Sequence, residues 1–200
     1  MTPAEFRQLL QEDIPDLARM CLRGTDVPFA FSGLSDAWLA FRDDLGQALG
    51  VKSESIAVVG SERFGFSLKP DNSLRPFSDT SDIDVVVVDS TAFDETWTGL
   101  LRALYPRPPI QVSGWLAKCR NDLYTGWLCP LAMRPDRKIY GARAGPVLEI
   151  SSRWFQALKV AGRFIPQPHE SLQARLYRTW EHAELYHQHS LHELKRTLNQ

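Results

Sequence analysis

Cysteine is scarce in this chain: 3 residues in 200, an odd number with no zinc-like spacing. Cys119 and Cys129 stand ten apart and Cys21 is remote from both. Neither a disulfide framework nor a structural zinc site is expected, and the thiols are read as reduced, as in a cytoplasmic protein. Also missing is any apolar run approaching the roughly 18 residues of a membrane span. The opening MTPAEFRQLLQEDIPDL is acidic and amphipathic, unlike the basic-then-apolar pattern of a signal peptide. Net charge is nearly absent: 23 Lys and Arg against 24 Asp and Glu leave −1, so there is no overall electrostatic case for nucleic acid. The 6 tryptophans are dispersed and form no stacking platform in sequence.

What is present is the composition of a folded protein, 44% hydrophobic and 24% charged. The length suits one domain, or a domain with a helical appendage. Charge is uneven along it. From Arg134 to Arg178 nine Lys or Arg face three acids, Asp136, Glu149 and Glu170, a local balance of +6, which is either a solvated basic face or a surface for a polyanion.

The organisation reads as helices, then a mixed sheet, then helices: an α/β (α+β) chain with a helical segment over 1–50, a core over 51–151 and carboxy-terminal helices over 152–200. Phe6, Leu9, Leu10, Ile14 and Leu17 recur at helical spacing, with Pro15 as a kink or restart. Ser35 is read as the cap of a helix that ends at Gly50. SIAVVG and IDVVVVD read as buried strands, and IQVSGWLAK (Ile110–Lys118), KIYGA and PVLEIS as further short strands. SRWFQALKVAGRFI is expected to be helical, and after a break at IPQPH a final helix runs to about Leu198. Its leucines would serve the core or a homodimer, and its histidines lack compact ligand spacing.

One stretch raises a chemical question. Asp82 and Asp84 open a run of four valines, where an ionised carboxylate is costly unless a cation neutralises it. On a strand the two share a face, about 6–7 Å apart, which suits one hard divalent cation or two held close together; the alternative is a loop-strand junction where Asp82 caps a turn and Asp84 meets an arginine. Mg²⁺ fits oxygen-only ligands and keeps water and phosphate as its remaining partners. Upstream, VVGS runs a strand straight into Gly60 and Ser61; glycine allows close backbone approach, and the hydroxyl and nearby N–H groups suit phosphate oxygens.

A strand ending in Gly-Ser, a loop, then a strand opening Asp-Ile-Asp resembles the nucleotidyltransferases of the DNA polymerase beta superfamily. The likeness covers Ile56 to about Asp89; beyond that only the plan is shared. It implies that Gly60 and Ser61 grip a triphosphate and that Asp82 and Asp84 bind Mg²⁺ (two ions, with Mn²⁺ as a substitute). A third carboxylate from a later strand would complete the site. Glu149, a lone acid in PVLEIS, is the choice for it; otherwise it is a strand glutamate facing solvent. Twenty residues separate Ser61 from Asp82, more than the family's usual interval of about a dozen. In that loop Arg63 and Lys69 are phosphate contacts or solvated charges. Lys159 and Arg153 are candidates for neutralising outgoing pyrophosphate.

The expected activity is transfer of a nucleoside monophosphate from an NTP to a hydroxyl acceptor, which protein, small molecule, nucleotide or RNA end would each satisfy. The rival expectation is a nucleotide-binding or partner-binding module that keeps the fold and lacks the third ligand.

Overall fold

A computed structural model describes residues 1–69, 74–105 and 114–200. In chain order the elements are α1 (Pro3–Glu12), α2 (Ile14–Arg23), α3 (Ser35–Leu49), β1 (Ile56–Val59), α4 (Ser61–Phe64), β2 (Ile83–Val88), α5 (Ser90–Leu104), α6 (Gly114–Tyr124), β3 (Trp127–Leu128), α7 (Arg137–Tyr140), α8 (Ala144–Ala161), β4 (Leu172–Tyr177) and α9 (Trp180–Leu198). The strands form one mixed sheet in the order β1-β2-β4-β3. β2 pairs antiparallel with β1 and parallel with β4, and β3 pairs antiparallel with β4.

Short polar side chains set the helix starts. Thr2 and Glu5 form a reciprocal capping box on α1, and Asp13 caps α2. Asp89 caps α5, its carboxylate accepting the Ala92 N–H at 2.7 Å. Ser35 is the first residue of α3, with Leu34 in the cap position. Gly50 ends α3 at φ +73°, as its place after the apolar stripe requires.

The valine run is buried on both faces, so the sheet lies between two helical layers. Ile56, Val58, Ile83, Val85, Val87 and Leu176 belong to the core shared with α3, α5 and α8, where Trp154 is 1% exposed. Truncating a side chain that large in such a core costs about 3–5 kcal/mol. The alternate residues Ala57, Val59, Val86, Val88 and Tyr177 pack toward α2 and α9. The first and last helices therefore belong to one layer. Phe6, Leu10, Ile14 and Leu17 share a cluster with Leu191 and Leu194, so this part of the α9 stripe is covered within the chain, while Leu185 is 59% exposed. No described helix is long and apolar enough to cross a membrane.

Several expected strands are helices. PVLEIS lies inside α8 and Arg137–Tyr140 is a single helical turn. Of the strand expected over Ile110–Lys118, residues 110–113 lie outside the described residues and the remainder opens α6. Conversely, Leu172–Tyr177, assigned to the final helix, is β4. Its Ala174 and Leu176 face the core between polar Gln173 and Arg175, a period of two that short-range helical matches masked.

Candidate active site

Register brings the chemistry to one edge of the sheet. Val59 stands opposite Asp84 and Asp84 opposite Gln173, so the end of β1 meets the starts of β2 and β4. Asp82 lies just before β2, and Asp84 within it on the face that α9 covers. Gly60 adopts φ +83° and ψ −145°, a region open essentially to glycine alone, and this turns β1 into α4.

Glu62, which sequence reasoning passed over, locks that turn. It is 1% exposed. Its Oε1 accepts the Asp84 backbone N–H, and its Oε2 accepts the Ser61 hydroxyl at 3.1 Å. Burial, reinforced by the Asp84 charge, holds this carboxyl well above the usual carboxylate range. The Gly-Ser turn and the acidic strand are thus joined through one buried side chain.

The two aspartates have different partners. Asp82 Oδ1 accepts the Ser171 hydroxyl at 2.6 Å, and Gln173 Nε2 donates to Ser171 Oγ at 3.1 Å. Asp84 Oδ1 lies 3.7 Å from Arg175 Nη1, longer than the roughly 2.7–2.9 Å of a charge-assisted hydrogen bond, so the pair is loose. Two rings steady the Arg175 guanidinium, Trp127 at 5.4 Å and Tyr186 at 5.5 Å. Burial, the largest single influence, would lower the Arg175 pKa; Asp84 together with Tyr186, Tyr177 and Cys129 outweighs it and the net shift is upward.

These groups open onto a cavity of about 230 Å³ between the Gly60–Ser61 turn, the start of β2 and α9. Lys69, Arg75 and Arg175 line it together with Asp82, Asp84 and Ser61. His187 lines it from α9; its Nε2 is buried with no hydrogen-bond partner among the described residues. Burial, then Arg175, pushes the His187 pKa down to about 4, so this imidazole is neutral at physiological pH.

Compared with known proteins, the chain matches no protein-family model, no curated protein and no solved structure. Its chemistry therefore rests on its own side chains.

Of the residues expected from sequence, Gly60, Ser61, Lys69, Asp82 and Asp84 converge on the cavity. Three do not. Glu149 is an exposed residue of α8 and is not among the cavity's lining residues; the strand on which its assignment stood is a helix. Arg63 points away, its Nη1 donating to the Asp26 carbonyl at 2.5 Å, and burial lowers its pKa. Lys159 lines a separate groove along α8. Arg75, Arg175 and His187 were missed, Arg175 because its strand was read as helix.

Among the described residues no group of three or more His, Cys, Asp or Glu side chains makes a ready metal cage. The donor set nevertheless fits a hard divalent cation arriving with phosphate. Two oxygen-donor side chains face the same cavity, Asp82 with one oxygen outside its Ser171 bond, and three cations face them.

Proposed function

We propose that this chain binds a magnesium-bound nucleoside triphosphate at the sheet edge and transfers its nucleoside monophosphate to a hydroxyl acceptor, as a nucleotidyltransferase of the DNA polymerase beta type. The supporting observation is the convergence of the Gly60–Ser61 turn, Asp82 and Asp84 on one cavity with Lys69, Arg75 and Arg175. Acids for a divalent cation and bases for phosphate oxygens in one small space complement that ligand's divided charge.

Asp82 and Asp84 would hold Mg²⁺, which when bound screens phosphate charge and makes the acceptor hydroxyl more acidic. The chain's own residues do the rest. The backbone N–H groups of the Gly60–Ser61 turn and α4 hold phosphate oxygens, with Glu62 fixing the turn that presents them through the Ser61 hydroxyl and the Asp84 N–H. Lys69, Arg75 and Arg175 balance the charge that builds on the leaving pyrophosphate. The acceptor oxygen attacks the α-phosphorus; the new O–P bond forms as the bond to the β-phosphate's bridging oxygen breaks and pyrophosphate departs. The acceptor's proton passes to solvent water, because the Asp82 oxygen that Ser171 leaves free is the one offered to the metal.

One observation favours a second reading, nucleotide binding without transfer. β4, the strand beside Asp84, offers Gln173 and Arg175 and no carboxylate. The experiment that decides uses NTPs radiolabelled at the α-phosphate, Mg²⁺ and broad acceptor pools, with ATP binding measured by calorimetry. Labelled product that is lost in Asp84→Ala supports transfer. Mg²⁺-dependent binding with no product in any pool supports the second reading. No binding by the wild-type protein refutes both.

A further inference from the structure

A second concavity of about 1160 Å³ lies beside the first, between α8, β4 and the segment after β3. It exceeds the roughly 300–1,000 Å³ of a small-molecule pocket. Lys118, Arg134, Lys159 and Arg163 line it, all exposed, and its described lining contains no Asp or Glu. None of the four takes part in an ion pair among the described residues. Three of the nine cations counted between Arg134 and Arg178, namely Arg134, Lys159 and Arg163, lie on this surface, and Lys118 joins them from α6.

The same groove carries an aromatic ring. Phe155 stands on the face of α8 that lines it and is 56% exposed, an unusual state for a phenylalanine one turn from the buried Leu158. Unpaired cations attract any polyanion; cations beside an open ring suit one whose phosphates alternate with flat bases. Ser171, which donates to Asp82, also lines this groove, so its end adjoins the carboxylates of the first cavity.

We infer that the groove along α8 binds single-stranded nucleic acid, the cations taking phosphates and Phe155 stacking on a base. Binding is read from the groove alone. That the bound strand also presents its terminal hydroxyl as the acceptor rests on the transfer proposed above.

The test uses the full chain in EDTA without nucleotide, so that failure here is separate from failure of the Mg²⁺–NTP reading, which calorimetry with ATP addresses. Anisotropy of a fluorescein-labelled oligouridylate of about 12 nucleotides should show a dissociation constant near the micromolar range. The logarithm of the association constant should fall with the logarithm of salt at a slope of about −3, from about 0.7 for each of the four cations. Lys159→Glu with Arg163→Glu should weaken binding at least tenfold and roughly halve the slope. Phe155→Ala should weaken it about fivefold or more at unchanged slope. All three positions are exposed, and circular dichroism confirms folding. Absence of binding at low salt, or a double reversal that binds as the wild type, overturns the inference. So does an unaffected Phe155→Ala, which means bare polyanion attraction, and so does equal competition by duplex or by poly-glutamate, which points to a different partner.

Discussion

Replacing Glu62 tests whether one buried carboxyl joins the phosphate-binding turn to the acidic strand. Glu62→Ala removes the acceptor for the Asp84 N–H and the partner of the Ser61 hydroxyl. An unsatisfied buried donor costs about 1–3 kcal/mol, and the void left by the deleted side chain adds about 1 kcal/mol. The expected loss of about 2–4 kcal/mol corresponds, for about 200 residues, to a Tm lowered by roughly 5–15 °C. Glu62→Gln keeps a carbonyl for Asp84 and turns an amide toward Ser61, so it should stay within about 1 kcal/mol of wild type near neutrality. Because Glu62 titrates higher in the folded chain than its ordinary 4.5, the folded state holds a proton that the unfolded state has released. Wild-type stability therefore falls as pH rises from about 4.5 through the raised folded value, and Gln, which cannot ionise, escapes that loss. Urea unfolding followed by tryptophan fluorescence and circular dichroism across pH 4–9, about the range of interest, should show Gln gaining on wild type as pH rises. Equal damage by Ala and Gln at every pH, or a neutral Ala variant, refutes the reasoning.

Gly60→Ala should cost about 1–3 kcal/mol, since φ is +83° and the new Cβ meets Glu62 Oε2 at 3.1 Å; urea unfolding measures it, and a neutral result denies the strained turn. His187 titrates at about 4 when folded against 6.5 ordinarily. Its contribution is fully present above pH 6.5 and is lost as pH falls toward 4, up to about 3 kcal/mol. The wild-type minus His187→Gln stability difference should follow that course; a flat difference contradicts the buried neutral ring. Arg175→Met should weaken ATP binding about tenfold while tightening Mg²⁺ binding, because the guanidinium attracts phosphate and repels the metal. Calorimetry reads both, and a change of the same sign in the two denies Arg175 its place between them.

The strongest local signals were the legible ones. VVGS and IDVVVVD are continuous apolar runs with unusual polar ends, and both are strands that meet at the expected edge. Gly50 and the stripe of α3 were equally plain. The misreadings came where short segments carry weak periodicity. PVLEIS alternates over a few residues, yet Val147, Trp154, Leu158 and Ala161 are the buried series of an eighteen-residue helix. In Leu172–Tyr177 long-range pairing with β2 decides the conformation, and no local pattern reports a partner 89 positions away, the span of the Ser171–Asp82 bond. Glu62 was invisible for another reason. A glutamate after Gly-Ser reads as surface, and only the approach of the Asp84 backbone makes its burial favourable.

Arg175 bears on the chemistry more than any other missed residue. In register beside the acidic strand it supplies a positive charge on the face where a third metal-binding acid would need to stand. A guanidinium there neutralises Asp84 before any ligand arrives, which makes the acid at the mouth of the valine run tolerable without a resident ion. An entering triphosphate changes that balance: it competes for the guanidinium, and the 3.7 Å separation means little is lost when Asp84 is released toward the metal. Metal and nucleotide should therefore bind with positive coupling, each weak alone and tighter together by the same factor in either order of addition. Titrating Mg²⁺ with and without ATP, and ATP with and without Mg²⁺, measures that factor. A coupling that persists unchanged in Arg175→Met would show that the arginine stands beside the site without linking its two ligands.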